Sequence, residues 1–183
     1  ASGDTLSLEY FLTAELGRSY VYKGYVLTNE EEFFGFWGAS TVSPWQTQVQ
    51  IAGVGSVRIK SFASDLVLSP PPWPVWVPTD AAGTGGGNRL LRIREGVERF
   101  LITDINNPAG SAHAQSTVPV LWDAFGSSEF TDNREGSVTF NHIPGGCNVL
   151  YMDGHARFIR YPGAFPISGH PQVVKENSHY GMG

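Results

Sequence analysis

Val138–Pro162 reads VTFNHIPGGCNVLYMDGHARFIRYP, with two β-rich apolar runs, Asn148–Met152 and His155–Tyr161, only two residues apart. Asp153-Gly154 fills the gap, and this pair suits a tight type I′ turn, because Asp tolerates and Gly freely adopts the positive φ it needs. A C-terminal β-hairpin over Asn148–Tyr161 is therefore predicted. On its second arm Ala156 and Phe158 alternate with His155, Arg157 and Ile159, so one face is expected to be buried and the other mixed. Upstream, Pro144-Gly145-Gly146 breaks the chain after a short strand, Val138–Phe140. The unit expected is strand, Gly-rich loop, strand, turn, strand.

Working outward, Val118–Trp122 is a short apolar strand, placed at an edge because Pro119 cannot donate to a ladder. Phe125–Ser137 reads as polar and turn-rich. Arg89–Ile105 predicts two strands about a bend at Glu95-Gly96, and Asn106–Thr117 a loop. Gln48–Phe62 predicts a strand pair bent at Gly53 and Gly55, and Arg18–Leu27 a strand with Tyr20 and Tyr22 on one face. Asn29–Trp37 predicts a short helix, since Thr28-Asn29 can cap it and Glu30–Glu32 suit its positive end. Asp4-Thr5 is a cap for a short helix over residues 1–16, with Leu8, Phe11, Leu12 and Glu15 on one face. Leu66–Pro78, with three consecutive prolines before Trp73-Pro74-Val75-Trp76, predicts an extended path. Thr79–Asn88 reads as a flexible loop, and the tail beyond Pro162 as irregular. The sum is an α+β chain, mostly antiparallel β with little helix, in one domain over residues 1–183.

The Asn141–His155 segment, NHIPGGCNVLYMDGH, followed by Phe158-Ile159-Arg160-Tyr161-Pro162, resembles the C-terminal signature of certain bacterial pilin-like proteins with prepilin-type N-termini. These are named for a His, nine residues and Asp-Gly; here ten residues, Ile143 to Met152, separate His142 from Asp153. Gly17–Tyr22, Arg94–Phe100 and Ile102–Pro108 are similar to segments of the same group. The resemblance implies a pilin-like globular head and a place in an extracellular or cell-surface filament, as a structural subunit of a homopolymer or a pseudopilin-like assembly. It implies no known chemistry. Relatives begin with a long apolar helix, which this sequence lacks, so a separate apolar helical subunit is one expected partner.

Composition agrees with an aromatic, loop-rich chain: 22 Gly, 12 Pro and 13% aromatic residues against 16% charged. Low charge also suits surface hidden in an assembly. The net charge of −5, with its twelve cations scattered, excludes sequence-independent nucleic-acid binding, which needs clustered Lys and Arg. No run of about 20 apolar residues is present to span a membrane. The single cysteine, Cys147, excludes an intrachain disulfide and reads as a small buried residue.

Candidate chemistry is sparse. His142, Asp153 and His155 supply donors for a Zn or Fe site, although turn geometry already suffices for Asp153 and is the preferred reading. Asp123, Glu129, Asp132, Asn133 and Glu135 offer oxygens for structural calcium, without EF-hand spacing. Glu30–Glu32 are a cation site or, more simply, a charged helix start. Gly83–Asn88 fails the phosphate-binding fingerprint, because Asn88 stands at its third glycine and no Lys-Ser/Thr follows. No Gly-x-Ser-x-Gly elbow occurs, so no enzyme is expected, with a hydrolase whose acids converge only in the fold as the outlying reading. The remaining alternative is a carbohydrate- or surface-binding module that stacks sugars on Trp37, Trp45, Trp73 and Trp76.

Overall fold

The computed structural model describes residues 20–42, 46–51, 55–60, 64–68, 75, 77–101, 108–127, 138–140 and 145–177. In chain order the elements are β1 (Tyr20–Val21), α1 (Glu30–Val42), β2 (Gln46–Ile51), β3 (Gly55–Lys60), β4 (Leu66–Val67) and β5 (Arg89–Leu90). They continue with α2 (Pro108–Thr117), β6 (Pro119–Asp123), β7 (Phe125–Ser127), β8 (Val138–Phe140), β9 (Gly146–Tyr151), β10 (Ala156–Arg160) and α3 (Pro171–Asn177). Short 3₁₀ turns occupy Thr84–Gly86 and Val97–Phe100. The fold is α+β with antiparallel sheets and few helices. Its principal sheet has the order β1-β6-β9-β10, and β2-β3, β4-β5 and β7-β8 form separate two-stranded ladders.

The C-terminal hairpin forms as expected, with Leu150 opposite Ala156 and Gly146 opposite Arg160. Its turn differs. The Tyr151 N–H donates to the His155 carbonyl at 2.9 Å and the Gly154 N–H to the Tyr151 carbonyl at 2.9 Å, so Met152-Asp153-Gly154 form a three-residue loop. Gly154 alone needs positive φ there, at 90°, and this pattern pairs a tight turn with a left-handed residue. Gly146 is needed for a different reason: a Cβ there would strike the Ile159 carbonyl oxygen on the neighbouring strand.

The inner face of the sheet carries Val21, Trp122, Cys147, Val149 and Ile159, packed against Ile167 and Val174 of the C-terminal segment. The tail is thus not wholly irregular, because α3 buries Val173 and Val174 against the core. A second cluster gathers Tyr25, Leu27, Phe33, Phe34, Phe36, Leu66 and Leu90 around α1. The Asn29 side chain caps α1 by accepting from the Glu32 N–H at 2.9 Å, as anticipated, and the helix runs on to Val42.

Other expectations are corrected. β6 lies inside the sheet, between β1 and β9, despite Pro119. Its ladder to β1 uses only Trp122 and Asp123, and the register with β9 shifts between Pro119 and Leu121, so the missing N–H costs nothing. Pro108–Thr117 is a helix rather than a loop, opened by a proline at a position where no N–H is needed. Val97–Phe100 is a 3₁₀ turn rather than a strand, entered through Gly96 at φ 76°. The predicted strand over Arg18–Leu27 survives as β1 and an isolated bridge from Tyr25 to Arg92, divided at Gly24 with φ 76°. The first three residues of the stretch read as polar and turn-rich, Phe125–Ser127, form β7, paired with β8. The predicted helix in residues 1–16 and most of the proline-rich path lie outside the described residues.

Thr79–Asn88 is an ordered turn, not a flexible loop. Thr84 Oγ1 donates to the Val26 carbonyl at 3.1 Å and accepts from the Leu91 N–H at 3.0 Å. The Gly85 N–H donates to Glu32 Oε1 at 2.7 Å, and the Ala82 N–H to the Glu31 carbonyl at 2.9 Å. One glycine of the turn, Gly85, therefore binds a carboxylate of the chain itself. Glu32, 2% exposed, also accepts through Oε2 from the Thr28 N–H at 2.6 Å and the Thr28 hydroxyl at 2.9 Å.

Candidate functional site

Among the described residues, those singled out for chemistry converge only at the hairpin tip. Asp153 Oδ1 accepts from the His155 backbone N–H at 3.1 Å and meets the ring Nδ1 at 2.6 Å. Convergence of the backbone N–H, first, and then the ring holds the Asp153 carboxyl below its ordinary range. The loop places His155 directly opposite Tyr151, and their rings stack at 4.4 Å, within 4° of parallel. The neutral tautomer that donates from Nδ1 leaves Nε2 as the basic nitrogen of an imidazole oriented by one carboxylate. Metal-binding histidines are commonly oriented in this way, but among the described residues no group of three His, Cys, Asp or Glu side chains is arranged to hold an ion.

Asp123 is not part of that tip. It is 4% exposed and lies beside the middle of β9, where Oδ2 accepts from the Asn148 N–H at 2.6 Å and its Nδ2 at 3.1 Å. Asn148 stands three positions, about 10 Å at the usual rise, from Tyr151, where the tip begins. Asp132 and His142 lie outside the described residues, as do Glu129, Asn133 and Glu135. The Glu30–Glu32 trio does not converge on one point either, since Glu32 turns inward to its donors while Glu31 is exposed.

Trp37, one of the four proposed stacking platforms, packs into the aromatic core at 6.3 Å from Phe33 and 5.7 Å from Phe36. Its ring lies 4.9 Å beneath Lys23 Nζ, which also sits 5.7 Å from the Phe33 and Phe36 rings. This buried cation is held over ring faces. Trp45, Trp73 and Trp76 lie outside the described residues. Cys147 is fully buried; burial, with the Asp123 charge adding to it, pushes its thiol up to about 12. It is a structural thiol without thiolate character near neutrality.

That burial has a measurable consequence. Cys147 in the folded chain is expected to resist maleimide at pH 8 and to label only after unfolding. Because the folded thiol keeps its proton where an unfolded one, near 9, has lost it, stability is undiminished below about 9 and falls as pH rises from there towards 12. Tyr25, pushed to about 12 mainly by burial, acts in the same sense. Urea titrations across that range should show a shallower loss in Cys147→Ala; an unchanged slope would contradict the assignment.

What sequence reading passed over is the outer face of the principal sheet. Leu150 and Phe158 lie on it, 37% and 44% exposed, with Ala156 opposite Leu150 and Asn148 opposite Phe158. Leu121 of β6 aligns with Leu150, and Tyr20 of β1, 42% exposed, lies at the far edge. The signal was present in the alternation of β9, whose buried Cys147, Val149 and Tyr151 leave Leu150 on the side otherwise occupied by Asn148. Among the described residues β10 is the last strand of the sheet, and it is exposed except at Ile159. No helix among the described residues is long and apolar enough to cross a membrane. Comparison of the chain with family models, curated proteins and solved structures gives no match.

Proposed function

We propose that this chain is a structural subunit of an extracellular, pilin-like filament or pseudopilin-like assembly at the cell surface, and that it works by polymerisation rather than turnover. The observation that carries this reading is the outer face of the β9–β10 hairpin, where Leu150 of β9 and Ala156 and Phe158 of β10 form an exposed apolar strip across the last two strands of the sheet. Exposed strand edges and contiguous apolar strips are the usual material of subunit contacts. The same hairpin carries the residues that resemble pilin-like sequences, so likeness and exposed surface coincide.

The test is Leu150→Glu with Phe158→Glu in one chain. Burying both side chains in a contact supplies about 2 kcal/mol or more, so the double variant should raise the concentration at which polymers appear at least about tenfold. Its circular dichroism should be unchanged, because neither residue is part of the core. Polymers at the wild-type concentration would overturn the reading.

A further inference from the structure

The exposed side chains of this hairpin also indicate how one copy would meet the next. We infer, resting on the polymerisation reading, that the β10 edge docks head-to-tail on the acidic corner of a second copy of this chain, at the start of α1. On β10, the outermost strand among the described residues, Arg157 and Arg160 are both exposed; Arg160 shares the face of Phe158, while Arg157, opposite Val149, projects from the other face of the same edge. The nearby acid, Asp153, is already engaged by His155. The edge is therefore locally basic on a chain whose net charge is −5.

The complementary surface lies in the other half of the molecule. Glu31 and Asp80 are exposed and are brought close by the Ala82 N–H, which donates to the Glu31 carbonyl at 2.9 Å two residues beyond Asp80. Glu30 adjoins them, and Arg89 borders them past the glycine turn. Val67, 53% exposed, stands on β4, which packs against α1, directly opposite Arg89. The exposed acids Glu31 and Asp80 thus complement the exposed arginines of the hairpin edge.

Charge also selects the symmetry. An isologous pairing of two β10 strands about Phe158 would bring both Arg157 side chains to diagonal positions about 7 Å apart, with no acid between them. Joining the basic edge to the acidic corner avoids that repulsion. Two different patches in contact leave one of each kind free at the ends, so the contact propagates as an open chain rather than closing as a dimer. Exposed ion pairs are screened by salt, with a Debye length near 10 Å at 0.1 M, so polymers should shorten as salt rises.

The experiment is a charge exchange read by sedimentation velocity of the full chain at low salt. One variant carries Arg157→Glu and Arg160→Glu; the other carries Glu31→Lys and Asp80→Lys. Each alone should lose the polymer, since each sets like charges together. Mixed in equal amounts they should recover it, because each basic edge then finds an acidic corner and each acidic edge a basic corner. Wild-type polymer that persists in both variants, or two polymer-deficient variants that stay monomeric when mixed, would overturn the contact while leaving polymerisation standing. Wild-type chain that never polymerises would overturn both.

Discussion

Replacing Glu32 by Ala is expected to lower the free energy of unfolding by about 3 kcal/mol, among the largest effects of any single side chain here. The carboxylate is 2% exposed and is the acceptor for three donors, the Thr28 N–H, the Thr28 hydroxyl and the Gly85 N–H. Truncation leaves these donors facing a small void. Glu32→Gln keeps the shape but replaces one acceptor oxygen with an NH₂ that confronts N–H groups, so it should cost nearly as much, about 2 kcal/mol. Thr28→Val removes one donor and leaves the acceptor satisfied by the others, so it should cost less. Urea unfolding of the three variants orders them. A loss below about 0.5 kcal/mol for Glu32→Ala would show that the glycine turn is not anchored by this residue.

Gly35→Ala should destabilise although it lies within a helix. In an ordinary helix interior this exchange gains about 1 kcal/mol from helix propensity. Here the added Cβ would strike the Ala82 carbonyl oxygen and come within 3.1 Å of Leu68 Cδ2. The first obstacle is backbone held by its own hydrogen bond to Glu31, not a side chain that can rotate away. Overpacking of this kind costs about 1–3 kcal/mol, enough to reverse the sign. Thermal melts give a direct reading: a fall in Tm supports close docking of the 79–88 turn on α1, and a rise contradicts it. Both substitutions probe the same joint from opposite sides, one by removing an acceptor and one by filling a gap.

The hairpin was legible because its signal is local. Alternation and turn residues sit within a few positions of one another, and Gly154 adopts the positive φ that a loop of this kind requires. The loop length was not legible, since moving Met152 from the strand into the turn changes hydrogen bonding but not composition. The cap of α1 was also readable, because Asn29 and Glu32 are three residues apart. The glycine turn was misread for the opposite reason: its anchor, Glu32, is 53 residues away from Gly85. Nothing local in TDAAGTGGGN tells an ordered cradle from a loose loop. Likewise the strand at Pro119 was assigned to an edge by a sound local rule, and its central place depends on how far β1 extends along it.

The candidate chemistry followed the same division. Asp153 and His155 meet because two residues of separation in a turn leave them little freedom. Asp123 could not be placed, because its partner, Asn148, is 25 residues away. Lys23 gave no sign of burial, as its aromatic surroundings come from α1 rather than from its neighbours in sequence.

The most direct test of the central claim is electron microscopy of the natively isolated protein over a range of concentrations at low salt. The account predicts ordered filaments whose subunits repeat head-to-tail and whose length falls as salt is added. Dispersed single particles at every concentration would contradict it.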